Sequence, residues 1–144
     1  AFVYIAAFKS WILVPDSRVD AVNNRLIAST EETGLFTVAE YSPAEGEAMF
    51  NLDAYPNPAR LNGSARIHYL LLKDTGVRIV LYDCNGGLVW EKDCISGGYG
   101  GKRGLNEVEW DLKNGSGAAV ETGMYICVVK AGELTRKTKI GIKK

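Results

Sequence analysis

Apolar and polar residues alternate in short runs along almost the whole chain, and Gly, Asn, Asp and Pro break the runs. Alternation at period two, rich in β-branched and aromatic residues, marks half-buried strands. It predicts strands over Phe2–Phe8, Trp11–Val14, Arg25–Ser29, Leu35–Tyr41, Met49–Tyr55, Ala65–Leu71, Gly76–Asp83, Leu88–Cys94, Asn106–Leu112, Gly123–Ala131 and Leu134–Lys143. No window carries a 3.6-residue apolar stripe. Val19–Ala28 comes nearest, but Asn23-Asn24 in its middle reads as a turn. The expected fold class is all-β, an antiparallel sandwich.

The turns have a physical basis. Asn85-Gly86-Gly87 separates two apolar runs and predicts a hairpin with residues at positive φ. Asn114-Gly115-Ser116-Gly117 is a second turn, and Ala131-Gly132-Glu133 joins the last two strands. Gly97 to Gly104 holds five glycines in eight residues, which reads as a mobile connection or a contact surface. In Gly123–Ala131 both alternating sets, Met124/Ile126/Val128 and Tyr125/Cys127/Val129, are apolar, so a central position in a sheet is expected.

A polar stretch with Pro and Gly, Ser42-Pro43-Ala44-Glu45-Gly46-Glu47, separates two β regions and reads as a linker within residues 42–50. Residues 1–41 offer about four strands, too few to close a sandwich alone. Residues 51–144 match the roughly 100 residues of an immunoglobulin-type sandwich.

Lys plus Arg and Asp plus Glu both total 17, so net charge is zero and no basic surface for nucleic acid or anionic membrane is indicated. No apolar run approaches the roughly 20 residues of a membrane-spanning helix. The apolar start, Ala1–Ala7, lacks an initiator Met, a basic region and a cleavage signature, and the chain reads as part of something longer. The three cysteines, Cys84, Cys94 and Cys127, leave two alternatives: three buried thiols, or one bridge with a spare thiol. Cys84 and Cys94 stand at different distances from the Asn85–Gly87 turn, which argues against direct pairing across it.

Four segments occur in order in the second half. They are Ala54-Tyr55-Pro56-Asn57-Pro58; Val77 to Asp83 followed by Gly86, Gly87, Leu88 and Val89; Gly104-Leu105-Asn106-Glu107-Val108-Glu109-Trp110-Asp111; and Ser116 to Tyr125 with Val120, Gly123 and Tyr125 at fixed offsets. Pro56 and Pro58 restrict the backbone around Asn57 to extended conformations. Trp110 follows Val108 at period two and is expected as a core anchor, and Asp111 is expected to bond amides of the Asn114–Gly117 turn. With the basic strand Lys137–Lys144, these segments resemble the FlgD immunoglobulin-like family and the related C-terminal sorting domains of type IX secretion. That resemblance implies a non-catalytic module of a larger secreted or cell-surface bacterial protein, serving export sorting, surface attachment or spacing. Its partners would be secretion or surface-assembly machinery, or neighbouring domains, and its terminal strand would be read by export machinery. The flagellar branch implies a hook-assembly scaffold instead. An accessory binding domain of a secreted hydrolase is the third alternative. In residues 1–41, Trp11 to Asp16, Val19-Asp20 and Gly34 to Val38 resemble the closing strands of surface β-sandwich modules.

No constellation for catalysis stands out, and no catalytic, cofactor or metal residue is assigned. A hydrolase needs an activated nucleophile or paired carboxylates. The single imidazole, His68, sits in an alternating strand and reads as a surface or half-buried residue. The cysteines lack C-x-x-C spacing, so neither His nor Cys zinc is indicated. Asp111 with Asn114–Gly117, and Asp16 with Asp20 and Asn23, are loose oxygen clusters that lack the alternating ligands of a calcium loop. Lys102 lies in the glycine run, but without the Gly-Lys-Ser/Thr ending of a phosphate loop.

Overall fold

The computed structural model describes residues 2–5, 10–14, 17–20, 22–23, 25–29, 35–37 and 49–144. Among them the regular structure is all strand, as the alternation predicts. The chain divides into two compact units, Ala1–Glu45 and Gly46–Lys144.

In the first unit, β1 (Phe2–Ile5) pairs antiparallel with β2 (Ser10–Leu13) on one side and with β5 (Leu35–Thr37) on the other. A separate hairpin joins β3 (Arg18–Asp20) to β4 (Arg25–Ile27). The strand β3 has no forecast of its own, and it resolves the Val19–Ala28 ambiguity as a hairpin. The expected extensions over residues 6–8 and 38–41 lie outside the described residues. So do Pro15, Asp16 and residues 42–48.

The second unit starts with β6 (Met49–Tyr55), whose first two residues fall within the 42–50 stretch. Then come β7 (Ala59–Arg60), β8 (Ala65–Leu71), β9 (Val77–Tyr82), β10 (Leu88–Cys94), β11 (Gly104–Trp110), β12 (Gly123–Ala131) and β13 (Leu134–Lys143). One sheet runs β11-β8-β6 and the other β10-β9-β12-β13-β7. The pairings are antiparallel except that β7 lies parallel to the end of β13, through Ile142↔Ala59 and Lys143↔Arg60. The strands β6, β8 and β11 take the A, B and E places of an immunoglobulin-like sandwich. The strands β9, β12 and β13 take C, F and G, with β10 as C′.

Alternation decides what fills the space between the sheets. Ala65, Ile67, Tyr69 and Leu71 of β8 face Ile79 and Leu81 of β9, with Cys127 and Val129 of β12 and Ile140 of β13 in the same buried cluster. Val108 and Trp110 of β11 are fully buried, as expected for core anchors. Trp110 meets Tyr125 edge to face at 5.5 Å between ring centres, and its Nε1 donates to Lys113 O at 2.8 Å. Tyr125, near the start of β12, donates its hydroxyl to Glu121 O at 2.9 Å. That is the tyrosine corner of immunoglobulin-like sandwiches. In β12 the inward set is Tyr125, Cys127 and Val129, and the strand is central, as its two apolar faces predict.

Two expectations are corrected here. β11 begins at Gly104 and ends at Trp110, because Leu112 turns to φ 57 and buries its side chain outside the ladder. The amides of the Asn114–Gly117 turn are held by Asn114, not Asp111. Asn114 Oδ1 accepts from Ser116 N and Ala118 N, both at 3.0 Å, while Asp111 Oδ1 reaches only Lys113 N at 3.3 Å.

Candidate functional site

The glycine run is tied down from several directions, which overturns its reading as a mobile connection. Thr75 N donates to Gly101 O at 3.0 Å, and Gly97 N donates to the same oxygen at 2.9 Å. Tyr69 donates its hydroxyl to Gly100 O at 2.6 Å. Asn106 Nδ2 donates to Lys102 O at 2.7 Å and to Gly104 O at 3.0 Å. Arg103 N donates to Asp74 Oδ1 at 2.7 Å. The glycines are there for close approach. At Gly100, with φ 77, a Cβ would stand 2.5 Å from Cys94 Sγ and 2.9 Å from Val108 Cγ2. Outside the loop lies an open depression of about 460 Å³, bordered by Tyr99, Lys102, Arg103, Leu105 and Glu107. Lys92 Nζ sits 4.8 Å from the Tyr99 ring centre, a cation–π contact.

His68 is buried, not on the surface, and its Nε2 lies 2.8 Å from Glu107 Oε2. Arg66 Nη1 approaches the other oxygen of Glu107 at 3.4 Å. The β8–β11 register places Glu107 opposite His68. The partnership was not legible in sequence, because the residues are 39 positions apart and no spacing rule links them. The oxygen cluster around Asp20 reduces to one pair. Asn23 donates its backbone N and its Nδ2 to the Asp20 carboxylate, at 3.2 and 2.8 Å. These bonds hold the Asp20 pKa below its ordinary value, and Asp16 lies outside the described residues. Among the described residues no three His, Cys, Asp or Glu side chains gather closely enough for a metal ion.

All three cysteines are free thiols. The alternative of three buried thiols fails only at Cys84, which is exposed in the turn after β9. Cys94 and Cys127 are buried, and desolvation raises both pKa values, that of Cys127 to about 12.

The outward face of the larger sheet is the other candidate surface. The register aligns Tyr82 with Ile126 and Lys139, and Val80 with Val128 and Lys137. Met124 and Ile126 leave 51 and 38 % of their surfaces exposed, an apolar stripe beside a basic row. On the far side, Arg78 Nη2 meets Glu91 Oε2 at 2.6 Å and Arg78 Nε stands 3.9 Å from Asp93 Oδ1.

The edge of that sheet is closed over part of its length. Asn57 Nδ2 donates to Lys139 O at 2.7 Å, and Gly141 N donates to Asn57 Oδ1 at 2.9 Å. Beyond them β7 pairs with Ile142 and Lys143, and Leu61 N donates to Lys143 O at 3.0 Å. The Tyr55-Pro56 and Asn57-Pro58 bonds beside this cap are both cis. From Leu134 to Thr138 the edge of β13 has no pairing strand among the described residues.

An antiparallel β-sandwich with an exposed, mixed apolar and basic sheet face defines the class. No protein-family profile matches the chain, and no curated protein does. Solved structures do match. PorZ, a bacterial surface component of the type IX secretion system of Porphyromonas gingivalis, aligns at 19 % identity and TM-score 0.46, over 65 % of this chain and 11 % of that one. Dimeric latent PorU from the same organism aligns at 24 % identity and TM-score 0.49, over 63 and 9 %. FlgD from P. aeruginosa aligns at 17 % identity and TM-score 0.48, over 64 and 69 %. The matched region is thus about a tenth of the length of PorZ and PorU. No helix among the described residues is long and apolar enough to cross a membrane.

Proposed function

We propose that the chain is a non-catalytic β module of a larger secreted or cell-surface protein, acting through protein contacts in export sorting or surface attachment. The observation that carries this is the construction of β13. Its Lys137 and Lys139 line an exposed apolar stripe, and from Leu134 to Thr138 its edge has no pairing strand among the described residues, while Asn57 and β7 close the rest. Such a surface suits a protein partner, because backbone groups on an open edge supply affinity and flanking side chains supply selection. The four-segment sequence resemblance to sorting domains supports the same assignment.

The test is an export assay. The 144-residue chain is fused behind a periplasmic reporter in a bacterium that carries a type IX system. The expected result is reporter at the cell surface or in the medium, with Lys137→Glu/Lys139→Glu shifting it back to the periplasm. A reporter that stays in the periplasm when fused to the unaltered chain would sink the sorting role.

A second reading, an accessory binding domain of a secreted hydrolase, draws on Tyr99. This ring is 60 % exposed beside the depression next to the glycine loop. Retention of the chain on immobilised polysaccharide, lost in Tyr99→Ala, is its test.

A further inference from the structure

The register of the last hairpin fixes which backbone groups of β13 point outward. Gly132-Glu133 forms a two-residue loop closed by Ala131 and Leu134. Asn57 takes the carbonyl of Lys139 and the N–H of Gly141, so the odd-numbered residues turn their backbone groups away from β12. By the alternation of an antiparallel pair, Thr135 and Lys137 present N–H and C=O groups outward, and Lys139 presents its N–H. None of these has a backbone partner among the described residues. The opening from Leu134 to Thr138 is about 17 Å long at 3.3 Å per residue, enough for a short strand.

Side chains say what kind of strand fits. Thr135, Lys137 and Lys139 stand on the outward face in register with Lys130, Val128 and Ile126. A neighbour with basic residues on that face would be repelled, and one with carboxylates at positions i and i+2 would be drawn in. The even-numbered positions turn to the opposite face, where Leu134 and Thr138 are half-buried and Arg136 is exposed, which favours an apolar residue beside Thr138.

We infer that the open edge of β13 takes an extended segment of a partner protein as an added strand, one alternating acidic and apolar residues, with a carboxylate opposite Lys137 and within diagonal reach of Lys139. The inference deepens the proposed function and rests on it for biological meaning. A second copy of the chain has the acidic pattern on β10, at Glu91 and Asp93. There Arg78 already engages both carboxylates, at 2.6 and 3.9 Å, so a foreign acidic strand is the better match.

Labelled seven-residue peptides, one alternating Glu with Val and one alternating Lys with Val, are titrated into the 144-residue chain by fluorescence anisotropy. Amide hydrogen exchange is followed in parallel. The Glu/Val peptide is expected to bind at least tenfold more tightly and to slow exchange at Thr135 and Lys137. Lys137→Pro removes one outward N–H, a change edge strands tolerate, and should weaken binding at least tenfold. Lys137→Ala, which keeps the backbone, should weaken it two- to threefold. Equal binding of both peptides, or protection confined to the Tyr99 depression, overturns the inference. So does self-association of the unaltered chain that Lys137→Pro abolishes, since a second copy then owns the edge. If Lys137→Pro fails to fold, the exchange pattern of the unaltered chain decides alone. Peptide binding with failed export removes the sorting role and leaves the strand site, whereas export without peptide binding removes only the strand site.

Discussion

Asn57 and Gly141 meet across 84 positions of sequence, the Gly141 N–H donating to Asn57 Oδ1 at 2.9 Å. With the Asn57 Nδ2 bond to Lys139 O, one side-chain amide behaves like a short length of neighbouring strand. This gives the Tyr55-Pro56-Asn57-Pro58 segment a physical role. It docks the entry of the domain onto its last strand and stops the open edge at Thr138. Asn57→Ala removes both bonds and should cost about 1–3 kcal/mol in urea unfolding. Exchange at Gly141 should accelerate. Asn57→Asp keeps the acceptor and should fall between.

Tyr125→Phe isolates the tyrosine corner. The ring keeps its contact with Trp110, and only the hydroxyl bond to Glu121 O is lost. The expected loss is about 1 kcal/mol. A change much below that in thermal or urea unfolding would show that the hydroxyl contributes little here and that ring packing carries the position.

Much of the sandwich was legible because its strands are half-buried and alternate cleanly. Ala65–Leu71, Leu88–Cys94 and Gly123–Ala131 match their forecasts at both ends. The β7 strand escaped because a two-residue parallel pairing leaves no period to read. The glycine loop was misjudged for a different reason. Composition alone cannot tell a glycine kept for motion from one kept for contact, and only Tyr69, Asn106 and Asp74, brought in from elsewhere, show which applies. The candidate surface was half visible. The lysines of the last strand stood out, but the apolar row Val80, Tyr82 and Ile126 beside them depends on strand order.

Two glycine substitutions separate backbone strain from steric collision. Gly100 and Gly117 both sit at positive φ, 77 and 82, so alanine is strained at each by about 1–2 kcal/mol. At Gly117 the space is empty within 4 Å, and the loss should stay near that value. At Gly100 the new Cβ also collides with Cys94 Sγ and Val108 Cγ2, so Gly100→Ala should cost several kcal/mol or prevent folding. Comparable losses for the two variants would argue that the loop relaxes freely.

The thiols give a prediction in pH. Cys84 is exposed, whereas Cys94 and Cys127 are buried, so iodoacetamide at pH 8 should label Cys84 alone in the folded chain and all three in urea. Burial raises the Cys127 pKa from 9.0 to about 12. The unfolded thiol therefore ionises first. The Cys127 contribution to stability should be level below pH 9 and decline as pH climbs from about 9 to about 12, by up to about 4 kcal/mol. Cys94 and Tyr69, also raised by desolvation, act in the same direction. Urea midpoints at pH 8, 10 and 11 for the unaltered chain and Cys127→Ala test the assignment. The variant starts lower, because it leaves a small cavity, but should lose less with rising pH. Parallel slopes would place the alkaline sensitivity elsewhere in the chain.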